Sequence, residues 1–253
     1  MIYINGYLVK PTMFPDKCSQ VWKLPDEVYS KIRNSYYNEI RWQFENEAEL
    51  INVCQLRLLI GSIEEKRGEL FIPYLPYARQ DKEVSNNTTF GLQAFSNIIN
   101  SFNFNKVSSV DVHSNNHGIK RFVNVLPNEI IKHTFIKTDA DIIVYPDKGA
   151  SLRYYLPNHT KVYFEKTRDQ LTGNIIGMDL LSKEDLTNKR CLIVDDLCDG
   201  GGTFKLVAEQ LLNKHKVSNV DLYVSHGLFT KGIQTLRDSG INRIFTYKGE
   251  IND

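Results

Sequence analysis

The sequence predicts an α/β protein in which strands alternate with helices and pair into mostly parallel sheets. Largely apolar runs at residues 141–145 and 191–194 are typical of strands that helices cover on both faces. Segments with helical periodicity alternate with such runs through both halves of the chain. Pro127 and the polar residues around it mark a boundary between two domains of similar size, residues 1–127 and 128–253.

The composition narrows the functional classes. The chain has 253 residues, 42% of them hydrophobic, and a net charge of +1 from 31 basic and 30 acidic residues. This balance argues against extensive contact with nucleic acid or a membrane surface. No stretch approaches the roughly 18 apolar residues of a membrane span, and the first residues lack the features of a signal peptide. We therefore expect a cytoplasmic protein.

The four cysteines show neither metal-ligand spacing nor a disulfide pattern, so we expect them to be reduced. Cys54 and Cys191 lie in apolar patterns and are most simply core residues. Cys198 lies inside a glycine-rich loop, where it would be reactive if the loop stabilised its thiolate. Packing is the simpler interpretation of Cys198, and we favour it.

In chain order, the first elements are small. Asn5 and Gly6 stand between short apolar stretches, which predicts a β-hairpin. Residues 14–16 look like an ordinary surface turn. Residues 47–60 are rich in helix formers and too apolar for a solvated helix, so this segment should pack against a sheet.

The loop after the next strand is more informative. Residues 70–72 predict a short strand, and Pro73 and Pro76 end it and stiffen the loop that follows. That loop presents Tyr77, Arg79, Gln80, Asp81 and Lys82. An exposed, rigid loop with such side chains suits nucleotide recognition. From residue types alone, an ordinary charged surface loop is at least as good an interpretation.

A helix and a strand then follow. Thr88 or Thr89 is placed to cap the helix, whose buried face should consist of Phe90, Ala94, Phe95, Ile98, Ile99 and Phe102. Residues 106–114 predict a strand ending in Asp111 and His113, whose side chains should share one side because they lie two residues apart. The histidine is either a metal ligand or a strand-end residue without a ligand.

In the second half, the strand at residues 141–145 ends in Pro146 and Asp147 before a short helix. After a further strand, Lys166 and Arg168 lie in a segment that runs to Gly173. Both cations are placed to swing over a ligand as part of a mobile loop, or they belong to a solvated charged turn. Lys231 shows no comparable placement and looks like surface charge.

Residues 189–215 carry the clearest functional signal. After the apolar run come the acids Asp195, Asp196 and Asp199 and the loop residues Gly200, Gly201, Gly202 and Thr203. The glycines allow a tight turn with N–H groups close to a ligand, and Thr203 is placed to cap the next helix. Such N–H groups bind anions, so the loop suits a phosphate and the acids suit sugar hydroxyls or a metal-bound group. The alternative is a turn that only connects strand and helix.

Two motifs resemble those of a known family. The stretch VDDLCDGGGT, residues 194–203, resembles the phosphoribosyl-pyrophosphate (PRPP) loop of type I phosphoribosyltransferases. The stretch PYLPYARQDK, residues 73–82, is similar to a signature of the ribose-phosphate pyrophosphokinase family. The resemblance implies two tandem phosphoribosyltransferase-like domains, the first binding ATP and the second ribose 5-phosphate.

The same resemblance implies ATP contacts for Arg79 and Gln80. It extends them to Phe14 and Asp16, because FPDKC stands where the family has F-x-D-G-E. In the family this segment holds adenine across a subunit interface, which implies a homo-oligomer. Here Lys17-Cys18 replaces the family's Gly-Glu, a departure that bears directly on this assignment.

Further roles also come from the resemblance. His113 and Asp147 are implied to lie near the metal of Mg²⁺-ATP, and Lys166 and Arg168 match the cation pair of the family's catalytic loop. Asp195 and Asp196 are implied to hold the ribose hydroxyls, with Asp199 nearby. The residues from Gly200 to Thr203 are implied to hold the 5-phosphate.

The resemblance thus predicts transfer of the β,γ-pyrophosphoryl group of ATP to the 1-hydroxyl of ribose 5-phosphate, giving PRPP and AMP with Mg²⁺ as cofactor. Such a transfer relies on positioning and charge stabilisation. One alternative is a phosphoribosyltransferase that consumes PRPP, and another is a catalytically silent regulatory homologue.

Overall fold

The computed structural model describes residues 1–83, 85–114, 117–168 and 175–252, without the side chains of 166–168 and 175–176. The chain divides into two compact units, Met1–Val125 and Leu126–Asp253. Each unit is built on its own mixed, mostly parallel sheet flanked by helices, which confirms the predicted fold class. The division lies close to the boundary expected at Pro127.

The first unit contains a six-stranded sheet. Its elements are β1 (Ile2–Ile4), β2 (Tyr7–Val9), β3 (Thr12–Met13), β4 (Ser19–Gln20), α1 (Asp26–Asn34), β5 (Tyr37–Trp42), α2 (Glu49–Gly61), β6 (Arg67–Phe71), α3 (Gly91–Ser101), β7 (Lys106–Val110) and β8 (Phe122–Val125). The strand order is β2-β1-β5-β6-β7-β8, and β3 and β4 form a separate two-stranded ribbon. Strands β5 to β8 are parallel, whereas β1 is antiparallel to both of its neighbours.

Two sequence-based predictions for the first unit, the hairpin at Asn5-Gly6 and the buried helix α2, are confirmed. Asn5 and Gly6 have φ values of 46° and 85° and join β1 to β2, as expected for a two-residue hairpin turn with both residues at positive φ. Helix α2 buries Val53, Leu56 and Ile60 completely in the core of the unit, so the prediction of a helix packed on a sheet is confirmed.

The capping prediction for α3 and the predicted end of β7 were wrong, whereas the buried face predicted for α3 is correct for Phe90, Phe95, Ile99 and Phe102, which lie in or against the core. Helix α3 begins at Gly91 after Phe90, without a side-chain cap, because the Thr88 hydroxyl donates to the Ser85 carbonyl instead. Its buried face is Leu92, Phe95, Ser96 and Ile99, while Ala94 and Ile98 are exposed. Strand β7 ends at Val110.

The strand geometry that would align Asp111 and His113 does not extend to these residues. Asp111 has a φ of 46°, which takes the backbone out of the strand conformation in which alternate side chains align. As a result, Asp111 is buried with 1% exposure, whereas His113 is exposed.

The second unit contains a seven-stranded sheet. Its elements are α4 (Asn128–Lys137), β9 (Ile142–Tyr145), α5 (Lys148–Arg153), β10 (Thr160–Arg168), β11 (Ile175–Leu181), β12 (Arg190–Cys198), α6 (Gly202–Asn213), β13 (Asn219–Gly227), α7 (Gln234–Arg237), β14 (Ile241–Thr246) and β15 (Gly249–Glu250). The order is β11-β10-β9-β12-β13-β14-β15, which places β12 at the centre. Strands β10, β9, β12, β13 and β14 are parallel, and each edge strand is antiparallel to its neighbour.

Strand β12 is buried on both faces, as its apolar run predicted. Cys191 and Ile193 pack into one hydrophobic cluster, together with the buried residues of α6. Leu192 and Val194 pack into another, which includes residues of α4 and α5. Because successive side chains point to opposite faces, the alternation shows that helices cover both sides of this strand. Within the described part of the chain, every helix is too short or too polar to cross a bilayer.

Candidate functional site

The glycine loop lies between β12 and α6, at the carboxyl end of the central strand of the second unit. Gly201 precedes the helix with a φ of 77°, a conformation that favours glycine. A Cβ added at Gly201 would stand 2.8 Å from Leu236 Cδ2, whereas one at Gly202 would meet nothing within 4 Å. The loop therefore leaves open space beside Gly202, where the first N–H groups of α6 lack acceptors within the helix.

Thr203 does not cap α6, contrary to the prediction. The position before the helix is Gly201, and no side chain caps the helix there. The reason is that the three glycines let the helix begin two residues earlier than a cap at Thr203 would, so Thr203 lies inside the first turn.

Two acids crowd the end of β12. The backbone N–H of Asp196 donates to Asp195 Oδ1 at 2.9 Å, and Asp196 is buried with 4% exposure. Burial, followed by the charge of Asp196 and more weakly that of Asp147, raises the pKa of Asp195 well above its ordinary value. Arg153, the last residue of α5, places Nη1 3.3 Å from Asp196 Oδ2. Like charges gathered without a packing benefit are typical of a binding or catalytic site.

Asp147 lies near these acids because it follows β9, the strand that pairs with β12. It precedes α5, and its Oδ1 accepts a hydrogen bond of 2.9 Å from the Ala150 N–H, so the helix start orients the carboxylate. The preceding Tyr145 is fully buried and stacks on Tyr154 with ring centroids 6.2 Å apart. Its burial raises the pKa of Tyr145, which keeps the hydroxyl protonated.

Asp199 belongs to the same loop but has a structural partner. It is exposed, and its Oδ1 accepts a hydrogen bond of 2.7 Å from the Thr230 hydroxyl. Lys231, which the sequence suggested was surface charge, lies beside Gly200: its Cδ and Cε are 3.3 Å from the position a Gly200 Cβ would take. Sequence reasoning missed the placement of Thr230 and Lys231 at this loop, because no motif links the segment after β13 to the loop after β12.

The hypothesis of a reactive Cys198 is wrong. Its side chain is fully buried, and burial, reinforced by Asp199 and Asp195, raises the pKa of the Cys198 thiol to about 12. The thiol is therefore protonated at neutral pH. The packing interpretation is confirmed, and Cys191 is also a buried core residue.

In the first unit, the structure brings Arg79 and His113 together. Arg79 Nη1 lies 3.1 Å from Nε2 and 3.2 Å from Nδ1 of His113, and both side chains are exposed. The two residues follow β6 and β7, which are neighbouring parallel strands, so both stand at the carboxyl edge of the sheet. A guanidinium and an imidazole at such an edge can bind phosphate groups.

The loop that carries Arg79 is anchored, as its prolines predicted. Pro73 and Pro76 are buried, and the hydroxyl of Tyr77 donates to Glu47 Oε1 at 2.7 Å. The Gln80 N–H donates to the Tyr77 carbonyl at 2.8 Å, and the Gln80 side-chain oxygen lies against Gly91 at the start of α3. Gln80 is therefore an exposed side chain on a fixed backbone.

Phe14 and Asp16 lie in the turn of the ribbon formed by β3 and β4. The Lys17 N–H donates to the Phe14 carbonyl, the Cys18 N–H donates to Asp16 Oδ1 at 3.0 Å, and the Phe14 ring meets Trp22 edge to face at 6.1 Å. Among the described contacts, neither Phe14 nor Asp16 has a hydrogen bond or ring contact with Arg79, Gln80 or His113. The predicted surface turn is confirmed, whereas the ATP contacts of these two residues stay a prediction.

Lys166 and Arg168 have their backbone in β10, where they pair with Met178 and Ile175 of β11. The described backbone of both positions therefore belongs to β10, and the predicted closing of their side chains over a ligand stays a prediction. Their side chains, and the continuation through Gly173, lie outside the described residues.

The metal assignment concerns His113 of the first unit and Asp147 of the second. Within the described ranges, no group of three or more His, Cys, Asp or Glu side chains is arranged to hold a metal ion. A metal at either residue would therefore need ligands from substrate or water, as Mg²⁺ bound to phosphates commonly has.

Comparison with known proteins gives a consistent result for the second unit and for the chain. Residues 158–251 match the family described as Phosphoribosyl transferase domain. The chain is 26% identical over 204 residues to the ribose-phosphate pyrophosphokinase of Mycoplasmopsis pulmonis, covering 75% of this chain and 62% of the relative. It is 30% identical over 208 residues to ribose-phosphate pyrophosphokinase 4 of Saccharomyces cerevisiae, covering 77% of this chain and 60% of the relative.

A third relative, the ribose-phosphate pyrophosphokinase of Maricaulis maris, is 30% identical over 187 residues, which are 67% of this chain and 56% of the relative. The chain thus spans less than two thirds of the length of these three relatives. The relatives confirm the resemblance to the ribose-phosphate pyrophosphokinase family that residues 73–82 and 194–203 predicted.

Among solved structures, the fold is similar to that of phosphoribosylpyrophosphate synthetase from Mycobacterium smegmatis. The TM-score is 0.66 at 20% sequence identity, and the match covers 81% of this chain and 70% of the other. This likeness concerns the fold, and it agrees with the predicted α/β class; the match to the phosphoribosyl transferase domain itself lies in the second unit.

Proposed function

We propose that this chain is a ribose-phosphate diphosphokinase, which transfers the pyrophosphoryl group of ATP to the 1-hydroxyl of ribose 5-phosphate. The observation that carries the proposal is that each unit has its own group of ligand-type side chains at the carboxyl edge of its sheet. The second unit has the acid pair beside the glycine loop, and the first has Arg79 against His113. A reaction that joins two phosphorylated substrates needs two such groups.

In the second unit, ribose 5-phosphate would use both features of the loop. Its phosphate would accept hydrogen bonds from the N–H groups between Gly200 and Thr203, where no side chain blocks the approach at Gly202. Its ribose hydroxyls would donate to Asp195 and Asp196. Hydroxyl donors are the partners that these carboxylates require, since burial and mutual repulsion make the charged pair costly without them.

In the first unit, Arg79 would bind the phosphates of ATP, and Gln80 would lie beside it on the anchored loop. Phe14 and Asp16 would contact the adenine moiety, as the resemblance implies.

Mg²⁺ would supply charge neutralisation on the transferred phosphates, with His113 and Asp147 as protein ligands or neighbours. Lys166 and Arg168 would close over the phosphates and stabilise the developing negative charge.

The test is the formation of AMP that depends on ribose 5-phosphate, measured with the purified chain, ATP and Mg²⁺. We expect AMP and PRPP in equal amounts, and Lys166→Ala should lower kcat much more than ribose 5-phosphate affinity. Asp195→Asn should lower kcat/KM for ribose 5-phosphate about 10- to 100-fold, because a hydrogen bond to a charged group contributes about 1.5–3 kcal/mol. Absence of AMP from an otherwise folded, sugar-phosphate-binding protein would refute the proposal.

A second candidate is a phosphoribosyltransferase that consumes PRPP, favoured by the domain match at residues 158–251. This enzyme would need the glycine loop and the acid pair but not Arg79 or His113. Incubation with PRPP and each nucleobase, without ATP, separates the two. Nucleotide formation under these conditions, unaffected by Arg79→Met, would favour the second candidate.

A further inference from the structure

The segment between β13 and α7, residues 228–233, lies directly against the glycine loop. The Leu228 N–H donates to the Cys198 carbonyl at 2.8 Å. The Thr230 N–H donates to the Asp199 carbonyl at 3.2 Å, and its hydroxyl donates to the Asp199 carboxylate at 2.7 Å. These bonds tie the segment to the residues that open the loop, so the residue after Thr230 is held next to it.

That residue is Lys231, and its side chain lies along Gly200. The Cγ, Cδ and Cε atoms stand 3.5, 3.3 and 3.3 Å from the position that a Gly200 Cβ would occupy. A larger side chain at position 200 would therefore compete with the lysine stem for the same space. The ammonium group is one bond beyond Cε, and Cε is an atom that borders Gly200.

The charges around the glycine loop favour a role for the Lys231 ammonium group in binding an anion. Asp195, Asp196 and Asp199 gather negative charge at the end of β12, and the described ion pair of Asp196 is with Arg153. Within the loop itself, a phosphate would meet the partial charges of backbone N–H groups, and the carboxylates of these acids lie close by. Among the described residues, no salt bridge neutralises Lys231, and the residue is exposed to solvent.

We propose that Lys231 is a phosphate-binding residue that contacts the phosphate of the sugar phosphate seated in the glycine loop. The inference rests on the proposed function, because it takes ribose 5-phosphate as the ligand of that loop. Gly200 is required for this placement, because a side chain at position 200 would occupy the space of the Lys231 methylene groups. The lysine makes the loop selective for a phosphorylated sugar, because the charge of its ammonium acts on the phosphate and not on the sugar ring.

The test compares Lys231→Met, which keeps an apolar stem but removes the charge, with Lys231→Arg, which restores a cation. The control is Lys205→Met on α6, because Lys205 is also exposed and pairs with Glu209 at 3.8 Å. Ribose 5-phosphate and unphosphorylated ribose are titrated by calorimetry at low and high salt, independently of turnover.

We expect Lys231→Met to weaken ribose 5-phosphate binding about tenfold at low salt and less at high salt, since exposed charge interactions are screened. Binding of ribose should not change, Lys231→Arg should regain most of the affinity, and Lys205→Met should bind as the wild type does. Equal ribose 5-phosphate affinity in Lys231→Met and wild type would overturn the inference. A wild type that binds ribose 5-phosphate through Lys231 without releasing AMP would overturn the proposed function alone.

Discussion

Gly201→Ala should destabilise the second unit, whereas Gly202→Ala should not. Gly201 is buried and has a φ of 77°, and an added Cβ would lie 2.8 Å from Cδ2 of Leu236, itself 1% exposed. Gly202 has no contact within 4 Å of its Cβ position and is the first residue of α6. The two glycines are adjacent in sequence, so the pair isolates the effect of backbone conformation and packing.

The magnitude follows from two costs. A non-glycine residue in the left-handed region costs about 1–2 kcal/mol. Displacing Leu236 in a packed core costs about 1–3 kcal/mol, with the lower figure more appropriate because the contact is the end of a flexible side chain. We therefore expect Gly201→Ala to lower the free energy of unfolding by about 2–4 kcal/mol. Gly202→Ala should be neutral or up to about 1 kcal/mol stabilising, because alanine favours the helix.

The assay must report on the second unit. Both tryptophans, Trp22 and Trp42, belong to the first unit, so their fluorescence follows that unit and far-UV circular dichroism with calorimetry is needed for the other. Urea unfolding of wild type, Gly201→Ala and Gly202→Ala gives the three free energies. If the two variants changed stability equally, the assignment of Gly201 as the constrained position would be refuted.

Two further predictions concern carboxylates of the second unit. Hydrogen bonds from Arg243, and then from Lys137, lower the pKa of Glu250 from 4.5 to about 2. The ionised Glu250 therefore stabilises the folded state fully at a pH above its ordinary pKa, and this stabilisation is lost as the pH falls through about 2. Glu250→Gln should therefore lower the free energy of unfolding by about 1–2 kcal/mol at neutral pH and by less in acid. Thermal unfolding at several pH values measures this loss of stability, and a loss that did not change with pH would contradict the prediction. Asp195→Asn should raise Tm at neutral pH while it weakens sugar-phosphate binding, because burial and then Asp196 raise the pKa of Asp195 and make its ionised form costly in the folded state. The gain in Tm should vanish below the ordinary carboxyl pKa; a lower Tm at neutral pH would disprove it.

The sequence alone determined the features that depend on neighbouring residues. The apolar run, the acids and the glycines of residues 191–203 predicted strand, loop and helix in that order, and the order is correct. The Asn5-Gly6 hairpin was equally readable. In each case the φ preference of glycine or the burial pattern of a few consecutive residues decides the local structure.

Local signals failed where a competing arrangement, local or tertiary, outweighed them. Asp111 and His113 were expected to share a side, but the backbone at Asp111 adopts a positive φ and the residue is buried. Thr203 and Thr88 were plausible caps, but glycine geometry and a turn hydrogen bond took precedence. Propensity is a weak prior when packing or a nearby turn offers a better arrangement.

Only the tertiary structure decided which distant residues meet. Arg79 reaches His113 across 34 positions of sequence because their strands are neighbours in the sheet. Lys231 lies on Gly200 because the strands before their segments, β13 and β12, are paired. The protonation of Cys198 depends on burial, which no local pattern specifies. The residues that bind are written in the sequence, but strand order and packing decide which of them act together, because contact and desolvation are properties of the folded chain.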